Sequence, residues 1–288
     1  MENTHIKRLR AGFLIAVVGF SSLISGGIPF ACICAILSWF WVKELLSLAK
    51  NSELQPLEII LRILCPGCAL AAIWSKDVLD GWLAFSCVAI FCVFVARSFY
   101  GPKIKGNLSD IAVSFFCLIY VGWLPAHIVL LRFLDSSAFS LNPFSQPGLF
   151  YTFFSVASVI LNDVGSYYAG KTFGKTKLAE AISPNKTIKG SIGGILAGIT
   201  MSMLICYFIA PLFHLKLNLW IMFGISILIA VLAQIGDLAE SLMKRSMGVK
   251  DTSELIEGHG GVLDRFDSHI VVASLMYYFF LSRIALIP

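Results

Sequence analysis

The chain has 288 residues, of which 58% are hydrophobic and 14% are charged, and its formal net charge at pH 7 is +5. Its mean hydropathy of +0.84 lies far above the range of soluble globular domains, which excludes an ordinary soluble enzyme. Long apolar stretches favour helical spans over barrel strands, because a helix satisfies its own backbone hydrogen bonds inside a bilayer. The composition therefore predicts an all-α polytopic membrane protein.

Nine segments are predicted to be transmembrane helices of one bundle, since each is long and apolar enough to cross a bilayer. They lie near 11–25, 28–48, 59–75, 79–97, 108–131, 149–169, 191–210, 217–236 and 268–286. Ser25-Gly26-Gly27 and Pro29 divide the first apolar block, because Gly and Pro break helices, and without that break the count is eight. The absence of a soluble domain in this pattern predicts one catalytic membrane domain over 1–288.

Lysine and arginine are distributed unevenly between the two sides that nine spans define. One side carries only Lys76, Arg132, Lys216 and Arg283, which leaves 18 of the 22 basic residues on the other. Because positive residues are retained in the cytoplasm, this bias predicts a cytoplasmic N-terminus in an inner or cell membrane. It also predicts that two polar active-site loops, 162–190 and 237–267, lie on the cytoplasmic side, where nucleotides are available.

The first polar loop begins where a predicted span ends. Asp163 lies there, and an ionisable group at that depth is costly unless it faces a cavity, a metal or a partner; the alternative is a helix end at the water interface. Further on, Ser183-Pro184-Asn185-Lys186-Thr187 precedes a glycine-rich helix start, an arrangement that favours phosphate binding. The alternative for the lysines of this loop is attraction to anionic lipid.

The same loop contains a pattern that matches a nucleotide-binding motif. Residues 165–172 satisfy G-x-x-x-x-G-K-T to the letter. A true phosphate-binding loop of that kind needs a β-strand before it inside an α/β domain, whereas a predicted membrane span precedes this one. We therefore predict that 165–172 is not such a loop.

The longest polar run of the chain, 236–268, combines acidic residues, basic residues and a glycine turn at 258–261. Its acidic and hydroxyl side chains include Asp237, Glu240, Ser241, Asp264 and Asp267. Carboxylates are ligands of hard divalent cations, while Lys, Arg and backbone N–H groups neutralise phosphate. The run therefore predicts a site for a divalent metal and a polyphosphate, and the alternative is a solvated loop with surface ion pairs.

The residues of this run closely resemble the signature of the phosphatidate cytidylyltransferases, also called CDP-diacylglycerol synthases. The match comprises Ser241, Met243-Lys244-Arg245, Lys250-Asp251, Ser253, Ile256, Gly258-His259-Gly260-Gly261-Val262 and Asp264-Arg265-Phe266-Asp267. The upstream loop is similar in its order of Asp163, Tyr167, Gly170, Gly174-Lys175, Ser183-Pro184, Lys186-Thr187 and Gly190. The sequence differs from the family pattern at Glu257 and at Ile188-Lys189. The resemblance is strong over 162–267 and is limited to hydropathy in the N-terminal half.

The resemblance implies a homodimeric membrane enzyme that joins CTP to phosphatidic acid, giving CDP-diacylglycerol and pyrophosphate. It implies Mg²⁺ as cofactor, with K⁺ as a second cation in some members, and no nucleic acid as partner. It assigns the metal to Asp237 and Asp264, with Asp163 and Asp267 as second-rank candidates, and it adds Lys186 and Lys250 as catalytic residues. Implied substrate contacts come from Asp163, Tyr167, Lys175, Ser183, Thr187, Ser241, Lys244, Arg245, His259, Arg265 and Asp267.

Two other functional classes are compatible with the sequence. A CTP-dependent kinase of a long-chain lipid alcohol would share the membrane architecture and the nucleotide, but would transfer the γ-phosphoryl group. A secondary transporter would also bury acidic residues and break spans with glycine, but its polar groups would cluster near the middle of the bilayer. The polar residues of this chain lie at predicted span ends, which favours the enzyme.

Overall fold

The computed structural model describes residues 17, 19–51, 54–99, 108–135, 143–253 and 260–286, and they are mostly helical. Residues 17 and 19–25 are helical. The α-helices after Gly26 are α1 (Gly27–Asn51), α2 (Glu58–Ala71), α3 (Lys76–Phe99), α4 (Leu108–Cys117), α5 (Leu124–Phe133), α6 (Pro147–Phe173), α7 (Ile188–Phe208), α8 (Leu219–Ser246) and α9 (Asp267–Leu281). A short antiparallel hairpin, β1 (Lys177–Ala179) and β2 (Ser183–Thr187), connects α6 to α7.

Six helical segments of the described residues are long and apolar enough to cross a membrane. They are Gly27–Lys50, Lys76–Ala96, Leu108–Phe133, Pro147–Phe173, Ile188–Phe208 and Leu219–Ser246. Many of their large apolar side chains remain exposed, as lipid-facing surfaces require. The chain is therefore a mostly helical polytopic membrane protein.

The predicted count of nine spans is not confirmed. In the predicted span at 11–25, residues 17 and 19–25 are helical, and residues 11–16 and 18 lie outside the described residues. The predicted span at 59–75 corresponds to α2, whose 14 residues extend about 21 Å, less than the roughly 30 Å of a hydrocarbon core. The predicted span at 268–286 corresponds to α9, which is apolar but has only 15 residues.

The chain divides into two compact units. The first unit contains residues up to 130 together with 246–265, and the second contains 131–245 together with residues from 266 onward. The upstream polar loop, 162–190, belongs wholly to the second unit, whereas the signature run, 237–267, is divided between the two. The prediction of a single catalytic domain over 1–288 stays a prediction.

In the first unit, close backbone contact holds the helices together. Gly122 lies in the turn between α4 and α5. A Cβ at Gly122 would lie 3.1 Å from the Cα of Cys65, so glycine permits α2 to approach this turn. The turn, Leu118–Trp123, is a π-helical stretch between α4 and α5, and it ends before Pro125, which has no N–H to continue α-helical bonding. The hydroxyl of Ser38 on α1 donates to the carbonyl of Val121, 2.7 Å away, and so fastens α1 to the same turn.

In the second unit, small residues bring α6 and α7 into contact along much of their length. A Cβ on Gly194 would lie 2.7 Å from the carbonyl oxygen of Asn162, and one on Gly165 would lie 2.4 Å from the Cβ of Ala197. Glycine at these positions lets the two backbones pack directly, as in other membrane helix pairs. Thr187 caps the start of α7 by accepting a hydrogen bond of 3.1 Å from the Gly190 N–H.

The segment that matches the phosphate-loop pattern, 165–172, lies within the helix α6. The described residues directly before it are helical and not a strand, since α6 extends back to Pro147. The prediction that 165–172 is not a nucleotide-binding loop of the strand–turn–helix kind is therefore confirmed.

Candidate active site

The second unit brings together two residues that the sequence analysis predicted as catalytic. The ammonium of Lys186 on β2 lies 2.6 Å from the Oδ2 atom of Asp237 on α8. The side chains are 25% and 36% exposed respectively, and the Lys186 Nζ atom itself is buried, so the ion pair is shielded from water. A lysine held against a carboxylate in this way can exchange part of that contact for a phosphate oxygen.

Four further ionisable residues interact with this pair or with one another and form one electrostatic cluster with it. The carboxylate of Asp163 interacts with those of Asp237 and Asp267, and with the Lys186 ammonium. Asp267 interacts in turn with Glu240 and Lys244, which form a buried ion pair of 2.8 Å along α8. We call this group the acidic cluster: Asp163, Lys186, Asp237, Glu240, Lys244 and Asp267.

The acidic cluster is unbalanced in charge. Its four carboxylates and two ammonium groups leave a formal charge of −2 when all are ionised. Carboxylates this close repel one another unless a proton or a cation intervenes.

A partly buried polar network lies beside the acidic cluster and connects three helices. The amide nitrogen of Gln234 on α8 donates to the Asn162 Oδ1, 3.2 Å away, and to the carbonyl of Ser191, 2.9 Å away. The hydroxyl of Ser191 donates back to the Gln234 Oε1. Asn162 directly precedes Asp163, and Gln234 lies one turn before Asp237, so the network fixes both acidic residues relative to α7.

Arg245 connects the end of α8 to the turn of the hairpin. Its Nε donates to the carbonyl of Ile182, 3.2 Å away, and its side chain is otherwise exposed. The contact holds the guanidinium near Ser183, the first residue of β2. Arg245, Ser183 and Lys186 are thereby brought to one region of the second unit, as phosphate binding would require.

In the first unit, the signature loop is organised by Asp264. Its Oδ2 accepts hydrogen bonds from the N–H of Gly261 at 2.7 Å, and from the N–H and the hydroxyl of Thr252, both at 3.1 Å. Gly260 has a φ of +78°, and a Cβ there would lie 2.7 Å from the same carboxylate oxygen. Glycine is therefore required at this turn both for its conformation and for space.

The remaining predicted residues occupy varied places. Tyr167 is exposed on α6 with the Lys171 ammonium 5.9 Å from its ring centre, and Thr187 serves as the cap of α7. Lys175, Lys250 and Arg265 are exposed, and Ser241 is half-buried on α8. His259 lies outside the described residues. Asp237 and Asp264 belong to different units, and their predicted joint role in metal binding stays a prediction.

The donor set fits a magnesium ion that relies on its substrate for ligands. No group of three or more His, Cys, Asp or Glu side chains in the described part of the chain is arranged to hold a metal alone. Magnesium commonly takes one or two carboxylates and completes its octahedron with water and substrate phosphate oxygens. Carboxylates with an excess negative charge beside a lysine are suited to that mode of binding.

Sequence reasoning missed one residue of the signature loop's surroundings, Glu44 on α1. Its carboxylate is buried and accepts hydrogen bonds from residues on both sides of 254–259. A signal was present in the sequence, because an acidic residue inside an apolar span is rare without a function. Gln234 and Ser191 were also missed, and their ordinary polar character in a helix gave no comparable signal.

The chain is similar to known proteins along almost its whole length. The profile described as Cytidylyltransferase family matches residues 6–282. The chain is similar to the phosphatidate cytidylyltransferase of Synechocystis sp., with 31% identity over 95% of both chains. It is also similar to proteins of that name from Bacillus subtilis, 31% identical over 94% of this chain and 96% of the relative, and from Staphylococcus aureus, 30% identical over 93% and 96%.

Proposed function

Since the chain belongs to the cytidylyltransferase family, we propose that it transfers the cytidylyl group of CTP to phosphatidate at the acidic cluster. The products are CDP-diacylglycerol and pyrophosphate, which makes the chain a nucleotidyltransferase of phospholipid biosynthesis. The observation that carries the location of the site is the ion pair of Lys186 with Asp237 inside a cluster whose formal charge is −2.

The reaction needs charge neutralisation more than proton transfer. A phosphate oxygen of phosphatidate, already anionic near neutral pH, bonds to the α-phosphorus of CTP while the bond from that phosphorus to the bridging oxygen of pyrophosphate breaks. Negative charge accumulates on the departing pyrophosphate, so fixed cations at that position stabilise the transition state. Lys186 is the residue of this chain best arranged to supply such a cation, with Lys250, Arg245 and Arg265 as further contributors.

The pairing with Asp237 determines what Lys186 can do. The carboxylate holds the ammonium in one place before substrate binds, which lowers the entropic cost of its contact with phosphate. The Arg245 contact to the hairpin turn orders a second cation in the same unit. The Gln234 network keeps Asp237 and Asp163 in position while the charge beside them changes.

The metal assignment is part of the proposal. Magnesium, when bound, would polarise phosphate oxygens and stabilise the charge that develops on the leaving group. Asp237 and Asp264 would hold it, with Asp163 and Asp267 as second-rank ligands, and K⁺ is proposed as an additional cation. The excess charge of the acidic cluster supports Asp237, and the three hydrogen bonds that orient the Asp264 carboxylate support Asp264, because ligating carboxylates are commonly fixed by such donors.

The arrangement in the membrane is also proposed. Nine spans, a cytoplasmic N-terminus and cytoplasmic active-site loops are supported by the division of basic residues, 18 of 22 on one side. This orientation gives the site access to CTP in the cytoplasm and to phosphatidate in the bilayer. A homodimer is proposed from the family resemblance.

The proposal is tested by following the phosphorus atoms of CTP. Purified protein is given phosphatidate, Mg²⁺ and CTP labelled at either the α- or the γ-phosphorus. A cytidylyltransferase moves the α-label into lipid and releases the γ-label as pyrophosphate. A lipid kinase would move the γ-label into lipid instead, and a transporter would move neither, so each of these two results would overturn the proposal.

A further inference from the structure

The buried carboxylate of Glu44 on α1 receives four hydrogen bonds from the signature run. Its Oε1 accepts from the Ser253 hydroxyl at 2.6 Å and from the Val262 N–H at 2.9 Å. Its Oε2 accepts from the Leu263 N–H at 2.8 Å and from the Thr252 hydroxyl at 3.1 Å. The residue is 4% exposed, so these donors replace the water that the charge has lost.

These contacts bracket the segment 254–259. Thr252 and Ser253 precede that segment in the sequence, and Val262 and Leu263 come after it, so one carboxylate joins residues 252–253 to residues 262–263. Gly261 is part of the same arrangement, because a Cβ there would lie 2.7 Å from the Glu44 Oε2. Glycine at position 261 therefore allows the loop backbone to approach Glu44 closely.

The Glu44 contacts also reach Asp264. The Thr252 hydroxyl lies 3.1 Å from both the Glu44 Oε2 and the Asp264 Oδ2, and its single proton can serve only one of them at a time. The backbone N–H of Gly261 donates to Asp264, and the next two N–H groups, those of Val262 and Leu263, donate to Glu44. A displacement of Glu44 would thus change the support of Asp264.

We propose that Glu44 is a positioning residue of the transferase, which holds Thr252-Ser253 against Val262-Leu263 and thereby sets the orientation of Asp264. Glu44 acts through the loop and does not itself touch the substrate. The inference rests on the proposed function, because it gives the loop a role in nucleotidyl transfer. A carboxylate suits this role since it offers acceptors on both oxygens and no competing donor.

The test compares Glu44→Gln with a matched variant, Glu58→Gln, in the full-length protein in detergent. Glutamine keeps the shape of Glu44 but turns one acceptor oxygen into a donor, so two of the four hydrogen bonds are lost. Glu58 is a glutamate of the same unit that pairs with Lys50 and Arg62. Initial rates are measured against Mg²⁺ and CTP, and amide hydrogen exchange is measured peptide by peptide.

Glu44→Gln is expected to lower kcat on the order of tenfold to a hundredfold and to raise the Mg²⁺ concentration needed for half-maximal rate. Exchange should accelerate in peptides covering 260–265 and stay unchanged in α6 and α7, and Glu44→Asp should recover part of the rate. Glu58→Gln should leave the rate, the Mg²⁺ dependence and the exchange of 260–265 at wild-type values.

Unchanged kcat and Mg²⁺ dependence per folded molecule in Glu44→Gln would overturn the inference, even if the variant were less stable. Should that variant fail to fold, Ser253→Ala tests the same inference, because it removes one of the four hydrogen bonds to Glu44. It should raise the Mg²⁺ requirement in the same direction by a smaller factor, and unchanged dependence would again overturn the inference. Wild-type protein that forms no CDP-diacylglycerol would refute the proposed function instead, while the exchange measurement would still decide whether Glu44 holds the loop.

Discussion

The Lys186 ammonium lies 2.6 Å from the carboxylate of Asp237, and this contact joins the hairpin strand β2 to the helix α8. The two residues come from the two polar loops of the sequence, and both were predicted as catalytic. Their pairing places one of the two lysines of the acidic cluster directly against a carboxylate. The chemistry proposed for the chain depends on that position.

Lys186→Ala should reduce turnover on the order of tenfold to a thousandfold, because one charge-assisted contact to a transition-state oxygen is lost. Expression and thermal stability in detergent should change little, since a partly exposed ion pair contributes little to stability. Steady-state assays with CTP and phosphatidate, together with a melting curve, check both parts of this prediction.

Lys189→Ala is the matched control for that variant. Lys189 lies in the same basic segment, is exposed on the first turn of α7, and carries the same charge. If the lysines served only to attract anionic lipid, the two variants would show equal losses of activity. A selective loss in Lys186→Ala is the expected result.

The contact between α6 and α7 should depend on glycine at position 194. An added Cβ would lie 2.7 Å from the Asn162 carbonyl oxygen, so Gly194→Ala should destabilise the protein by about 1–3 kcal/mol through overpacking. Gly224→Ala is the control, because a Cβ at Gly224 meets nothing within 4 Å. Thermal unfolding in detergent should show a lower Tm for the first variant, and a Tm equal to wild type in Gly194→Ala would contradict this account of the packing.

The proposed orientation in the membrane predicts where labels can reach. Single cysteines introduced at positions 175 and 250 of a cysteine-depleted protein should react with a membrane-impermeant reagent only from the cytoplasmic side. Both positions are exposed, so access from the correct side is not limited by burial. Labelling of either position from the outer side would separate the two loops and remove the basis for a shared site.

Much of the second unit's site could be predicted from sequence, because its residues carry a strong signal. The position of Asp163 at a span end predicts a functional carboxylate. The position of Lys186 before a glycine-rich helix start predicts a phosphate-binding cation. Asp237 stood out at the start of the longest polar run. Placing a charged side chain in or near an apolar span costs free energy, so the few charged residues at helix ends indicate a functional site.

Other parts of the arrangement depend on contacts that one sequence does not reveal. Glu44 lies more than 200 positions before the loop that it holds. In a hydropathy analysis, Glu44 only lowers the mean hydropathy of its helix and gives no sign of its partners. The pairing of Gln234 with Asn162 and Ser191 depends on the rotation of three helices about their axes. The count of nine spans is not confirmed at α2 and α9, because the apolar sequence extends beyond the ends of these short helices.

The central claim is that Asp237 and Asp264 act on one catalytic magnesium ion. Initial rates of CDP-diacylglycerol formation against Mg²⁺ concentration, for wild type, Asp237→Asn, Asp264→Asn and the double variant, test it most directly. Asparagine keeps the shape and removes the charge, so each single variant should abolish the reaction while remaining folded and monodisperse. The double variant should be hardly worse than either single one, because residues that act as a unit are not additive. A single variant with unchanged rate and unchanged Mg²⁺ dependence would contradict the claim.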